Sequence, residues 1–172
     1  MPRLPAAAVL CSMALAACSP TFNWRDVRIE PAGLRATLPC KPEQGARRVP
    51  LAGRAVEMAG LGCDAGGATF AILHADLGDP ALAGEALAQW NRATLANMKA
   101  GVPRASAFVP PGAVPLPASL RVVATGQRAD GSAVQGEAAY FVRGSRVVQA
   151  VVYADELKPQ WVQPFFDGLA FE

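Results

Sequence analysis

The chain is written mostly in period two, with one stretch of helical period in the middle. Leu34, Ala36, Leu38 and Cys40 alternate with Arg35, Thr37 and Pro39, which predicts a half-buried strand. Val49 to Leu51 starts another, and Arg54 to Cys63 a third that alternates through Val56 and Met58, with Gly60 and Gly62 placed to permit a bulge. From Ala68 to Leu77 apolar side chains fall on both faces, Phe70 and Ile72 on one, Ala71, Leu73 and Leu77 on the other. A strand apolar on both sides belongs in the middle of a sheet.

The helical stretch follows. Asp79-Pro80 supplies a cap and a first-turn proline, and Leu82, Ala86, Trp90, Ala93 and Leu95 to Met98 recur at helical spacing until Gly101 stops the pattern. Trp90 and Met98 read as core on this helix. Prolines between Val102 and Pro117 are too dense for either regular element and predict an extended loop. Leu120 to Gln127, Ala133 to Arg143 and Arg146 to Ala154 then read as three strands of an antiparallel meander, turning at Asp130-Gly131 and Gly144-Ser145. Lys158 to Asp167 predicts a short helix with Trp161, Phe165 and Phe166 buried, which Pro164 should kink or split. The expected fold is α+β: an antiparallel β-sheet with one long central helix and a short C-terminal helix in a single α/β sandwich domain.

The first residues follow neither period. After Arg3 an uncharged apolar run extends from Leu4 to Leu15. At about a dozen residues it is too short for a permanent transmembrane helix and has the layout of a secretory signal. It ends in Leu15-Ala16-Ala17-Cys18, which resembles the lipobox of bacterial lipoproteins, an aliphatic residue and two small residues before a cysteine. The resemblance implies cleavage before Cys18 and acylation of its sulfur, leaving residues 1–17 as signal peptide, 18–26 as a lipidated tether and 27–172 as the periplasmic domain. Cys11 follows Ala8-Val9-Leu10, with bulk in the wrong place, and reads as signal-peptide filler. Ser19 after the lipid cysteine resembles the enteric default for export to the inner leaflet of the outer membrane. Phe22 and Trp24 in the tether have two equal readings, resting at the lipid interface or packing on the domain.

Composition narrows the function without naming it. The chain has 172 residues, 16 basic and 14 acidic side chains and a formal charge of +2, with 17% charged residues. No basic stripe suits a nucleic acid, and so low a charged fraction does not suit a disordered chain. Arg47-Arg48 and Arg143 with Arg146 are small basic spots, able to touch anionic polymers but more in keeping with a solvated strand edge.

Candidate chemistry is sparse. Cys40 and Cys63 are the thiols left once Cys18 is acylated, each at the end of a predicted strand in a compartment where disulfides persist, so they are read as a structural bridge. The spacing is not CxxC, and the lone His74 cannot complete a zinc site. His74 shares a strand face with Asp76, so an envelope enzyme using His74 with Asp76 or a free Cys63 stays open as an alternative, against a histidine hydrogen-bonded at the core margin. Glu57, Asp64, Asp76, Glu137 and Asp155 are scattered, and the glycines around Gly60-Leu61-Gly62 and Gly66-Gly67 lack a phosphate-loop context. No cofactor or metal is implied.

The segments Ala36-Thr37-Leu38-Pro39-Cys40-Lys41-Pro42 and Phe165-Phe166-Asp167-Gly168-Leu169, within this order of elements, resemble the α/β sandwich of PsbP-like photosystem subunits and related small envelope proteins. That fold hosts unrelated roles, so the resemblance implies architecture and no activity. The expected function is a lipid-anchored envelope module that binds or supports a protein or polymer without catalysis. Its alternatives are an assembly factor of PsbP-like type and the His74 enzyme.

Overall fold

A computed structural model describes residues 21–172. The expected signal segment, Cys11 and Cys18 lie outside the described residues. The described residues form a single α+β domain of two antiparallel sheets and two α-helices.

The small sheet is built from β1 (Arg25–Ile29), β2 (Leu34–Leu38) and β10 (Ala170–Phe171), in the order β1-β2-β10. The large sheet has seven strands in the order β3-β4-β5-β9-β8-β7-β6. These are β3 (Glu43–Leu51), β4 (Arg54–Ala65), β5 (Ala68–Asp76), β6 (Arg104–Ala107), β7 (Leu120–Gln127), β8 (Ala133–Arg143) and β9 (Arg146–Ala154). Helix α1 (Ala83–Asn97) follows a single 3-10 turn at Pro80–Leu82, and α2 (Pro159–Asp167) precedes the last strand.

Alternation along the strands sorts the core into two layers. Phe70 and Ile72 of β5 share a face with Leu61, Phe141, Ala150 and Val152, and the small sheet and α2 cover it with Leu34, Leu38, Trp161, Phe165 and Phe166. On the opposite face, Met58, Ala75, Tyr140, Val147 and Val151 receive Ala83, Ala86, Leu87 and Trp90 of α1. The order of layers is therefore α1, large sheet, small sheet with α2. As expected, β5 is interior to the sheet and Trp90 and Met98 are buried.

The 3-10 turn that leads into α1 starts as the sequence directs: the Asp79 carboxylate accepts from the Ala81 amide at 2.9 Å, with Pro80 in the first position. Helix α1 ends at Asn97, earlier than the apolar pattern suggests. Lys99 turns to positive φ, and the Met98 carbonyl accepts from Gln127 at 2.7 Å.

Four expectations change. Strand β1 appears within mostly charged sequence, and β6 appears inside the proline-rich stretch. Gly60 and Gly62 make no bulge: the registers from Glu43↔Gly62 to Leu51↔Arg54, and from Met58↔Ala75 to Ala65↔Ala68, run without interruption. The glycines give close approach instead, since a Cβ on Gly62 would lie 2.8 Å from the Phe70 carbonyl oxygen. Finally, Pro164 does not split α2. It forfeits only the bond its amide would make to the Gln160 carbonyl, and burial of Trp161, Val162, Phe165 and Phe166 holds the helix together.

Candidate functional site

The two cysteines meet. Cys40 follows the end of β2 and Cys63 lies in β4, and they form a disulfide with Cα atoms 6.0 Å apart. The bridge ties the small sheet to the large one across a sequence separation of 23 residues. Loop-closure entropy for that length corresponds to about 3 kcal/mol.

His74 sits in β5 between Ala59 of β4 and Val148 of β9, half-buried. Burial, and then the charge of Arg146, hold its pKa below the usual imidazole value, so the ring is neutral at pH 7. Asp76 is on the same face but faces other partners. Its carboxylate accepts from Ser145 Oγ at 2.6 Å and from the Gly78 amide at 2.9 Å, with Arg146 at 3.7 Å, and these hydrogen bonds lower its pKa. Among the described residues the His74 imidazole makes no hydrogen bond to Asp76 or to another protein group, and it sits half-buried at the margin of the core. Cys63 pairs with Phe70, four ladder positions from the Ala59↔His74 pair, which places it about 13 Å along the strand. The groups of the enzyme alternative are thus not assembled, and the cysteine is oxidised.

The scattered carboxylates stay apart. Asp64 accepts from Thr69, Asp155 pairs with Arg128 at 2.7 Å, and Glu137 is buried against Arg121. Among the described residues no three His, Cys, Asp or Glu side chains are close enough to hold a metal ion. A buried polar chain runs under α1, where the Gln149 amide donates to Thr94 Oγ1 at 2.8 Å and to the Tyr140 hydroxyl at 3.0 Å. Tyr153 beside it has its pKa pushed up to about 12 by burial and by Tyr140. Sequence reading missed this network because one Gln and two Tyr carry no spacing signal.

The open surfaces cluster at the β3 end of the large sheet, where neither α1 nor the small sheet covers the strands fully. On the α1 side a shallow groove of about 390 Å³ is floored by Met58, Gly60, Gly62, Ala71 and Leu73. It continues toward α1 past Arg47 into a second hollow of about 290 Å³ beside Trp90 and Gln149. On the other side a cleft of about 460 Å³ lies among Ile29, Pro31, Ala59, Leu61 and His74.

The expected basic spots differ in fate. Arg143 donates to the Glu172 carbonyl and lies over Phe171, and Arg146 pairs with Asp76. Arg47 and Arg48 on β3 have no carboxylate partner among the described residues.

Phe22 and Trp24 are packed on the domain. Phe22 stacks on Trp161 with centroids 5.9 Å apart, Trp24 meets Phe70 edge-on at 6.3 Å, and a Cβ on Gly66 would lie 2.4 Å from Phe22 Cζ. Arg25 and Asp26, assigned to the tether from sequence, are the first residues of β1. Among the described residues no helix is long and apolar enough to cross a membrane.

No family model matches the chain, and no curated protein matches it. Among solved structures the chain is similar to PA94 of Pseudomonas aeruginosa, a protein of unknown function. The identity is 14%, with 82% of this chain and 89% of that chain covered at a TM-score of 0.40.

Proposed function

We propose that the protein is an envelope lipoprotein, acylated at Cys18 and held at the inner leaflet of the outer membrane, whose periplasmic domain binds or supports another envelope component without catalysis. The observation that carries this reading is the contrast between its reactive groups and its surface. His74 stands alone, Asp76 is engaged by Ser145 and Gly78, and Cys63 is bridged, while the β3 end of the sheet is open on both faces. A binding module needs the second feature and does not need the first.

Two acyl chains or more make such an anchor stable, because each buried methylene contributes about 0.8 kcal/mol and a single chain binds only marginally. The Cys18→Ala chain should leave the membrane fraction in carbonate, and intact mass should locate a lipid on the wild-type cysteine. Retention of the variant in membranes would sink the anchor. Native thiol titration tests the other half: no thiol should label before reduction, and a reactive thiol in the native protein would reopen the enzyme alternative.

A further inference from the structure

We infer that the free edge of β3 docks an extended, acidic segment of another protein, which joins the large sheet as an eighth strand. The inference rests on the binding reading above and names its partner.

Among the described residues β3 is terminal in the sheet, and it pairs with β4 over nine positions, from Glu43↔Gly62 to Leu51↔Arg54. Every residue from Glu43 to Arg48 is exposed. A terminal strand turns half of its amides and carbonyls outward, and these are a template for another strand unless the edge is short, charged or interrupted. The opposite edge, β6, has only four residues. On β3 the guards are Pro50, which blocks pairing near one end and leaves Glu43–Val49 able to bond, and the charges of Arg47 and Arg48, which repel a basic strand and select an acidic one.

The surroundings suit a strand with side chains to place. The α1-side groove and the His74-side cleft both reach the edge at Gly45 and Ala46. Successive residues of an added strand point to opposite faces, so two adjacent apolar residues opposite Gly45 and Ala46 would fill one hollow each. Arg47 and Arg48, the next two residues, also point to opposite faces. Glu57, in register with Arg48, does not close to salt-bridge distance, and Glu43 lies at the far end of the strand. Two adjacent carboxylates on the incoming strand would meet these arginines. A second copy of β3 brings one carboxylate, Glu43, against two arginines, so no register neutralises the pair. In an antiparallel partner the pattern reads acidic, acidic, apolar, apolar.

The probe is a labelled, end-capped peptide, Thr-Glu-Glu-Val-Leu-Val-Thr, titrated by anisotropy against the full mature lipoprotein in detergent micelles. Saturable binding with slowed amide exchange in β3 is expected. Arg47→Glu with Arg48→Glu should weaken it about tenfold, and a Lys-Lys version of the peptide should recover binding to that variant. Methylating alternate peptide amides on the bonding side should abolish binding while leaving the protein untouched. No saturation at about 1 mM, equal binding of the methylated peptide, or a dimer formed through β3 would each overturn the inference. Fractionation of Cys18→Ala and thiol titration do not involve β3, so the anchored reading stands or falls separately.

Discussion

Arg121 of β7 donates to the Glu137 carboxylate on β8 while its guanidinium lies 4.3 Å from the centroid of the Phe166 ring. The pair is little exposed, 19% and 11% by side chain, and it fastens α2 to the large sheet. Breaking it from one side strands a cation under an aromatic ring. Glu137→Ala should cost about 3 kcal/mol or more in a urea melt, and adding Arg121→Met to it should recover much of that loss.

Gly126 lets the end of α1 rest on β7. A Cβ there would lie 2.2 Å from the Met98 carbonyl oxygen, the same oxygen that accepts from Gln127. Gly126→Ala must therefore move backbone against backbone, and a loss of about 1–3 kcal/mol is expected. Thermal melts of the variant beside Gly84→Ala, where a Cβ meets nothing, would isolate the clash.

The bridge between Cys40 and Cys63 pins the small sheet to β4 where the chain passes from β2 to β3. Replacing both cysteines by serine should lower stability by about 3 kcal/mol, and reductant should shift the wild type by a similar amount while leaving the variant unmoved.

His74 gives a pH signature. Its folded pKa lies below the ordinary imidazole value of 6.5, so as pH falls past that value the unfolded chain takes up the proton first. Stability is full above this range and declines as pH drops toward the folded pKa. His74→Gln should flatten the melting temperature between pH 7 and 5, about where the imidazole titrates. Asp76, whose folded pKa is also lowered, acts further down: its contribution is present above the unfolded value 3.8 and is lost below it.

Much of the fold was legible because most of its strands bury a face. Strands β7, β8 and β9 keep the boundaries read from alternation and from the Asp130-Gly131 and Gly144-Ser145 turns. The elements that escaped are those with little to bury. Strand β1 is mostly charged, β6 is exposed throughout, and β3 is exposed over Glu43–Arg48, so only its end at Val49 to Leu51 had a signal. The candidate docking edge was hidden for the same reason, since periodicity reports burial and an edge open on both faces has none. Cys40 and Cys63 were legible as a pair, whereas the separation of His74 from Asp76 depends on Ser145 and Gly78, distant or unremarkable in the sequence.

The seat of Phe22 against Trp161 and Gly66 sets how far the protein can stray. With Cys18 acylated as proposed, three residues separate it from Phe22, and the four steps of chain reach at most about 14 Å. A molecule so anchored would ride close to the headgroups, its β4–β5 hairpin bend nearest to them. Strand β3 starts beside Gly62, on the side of that bend, and in such an arrangement would run away from the bilayer. Whatever zips onto it would have to descend to the lipid surface, so reach as well as affinity would select the companion.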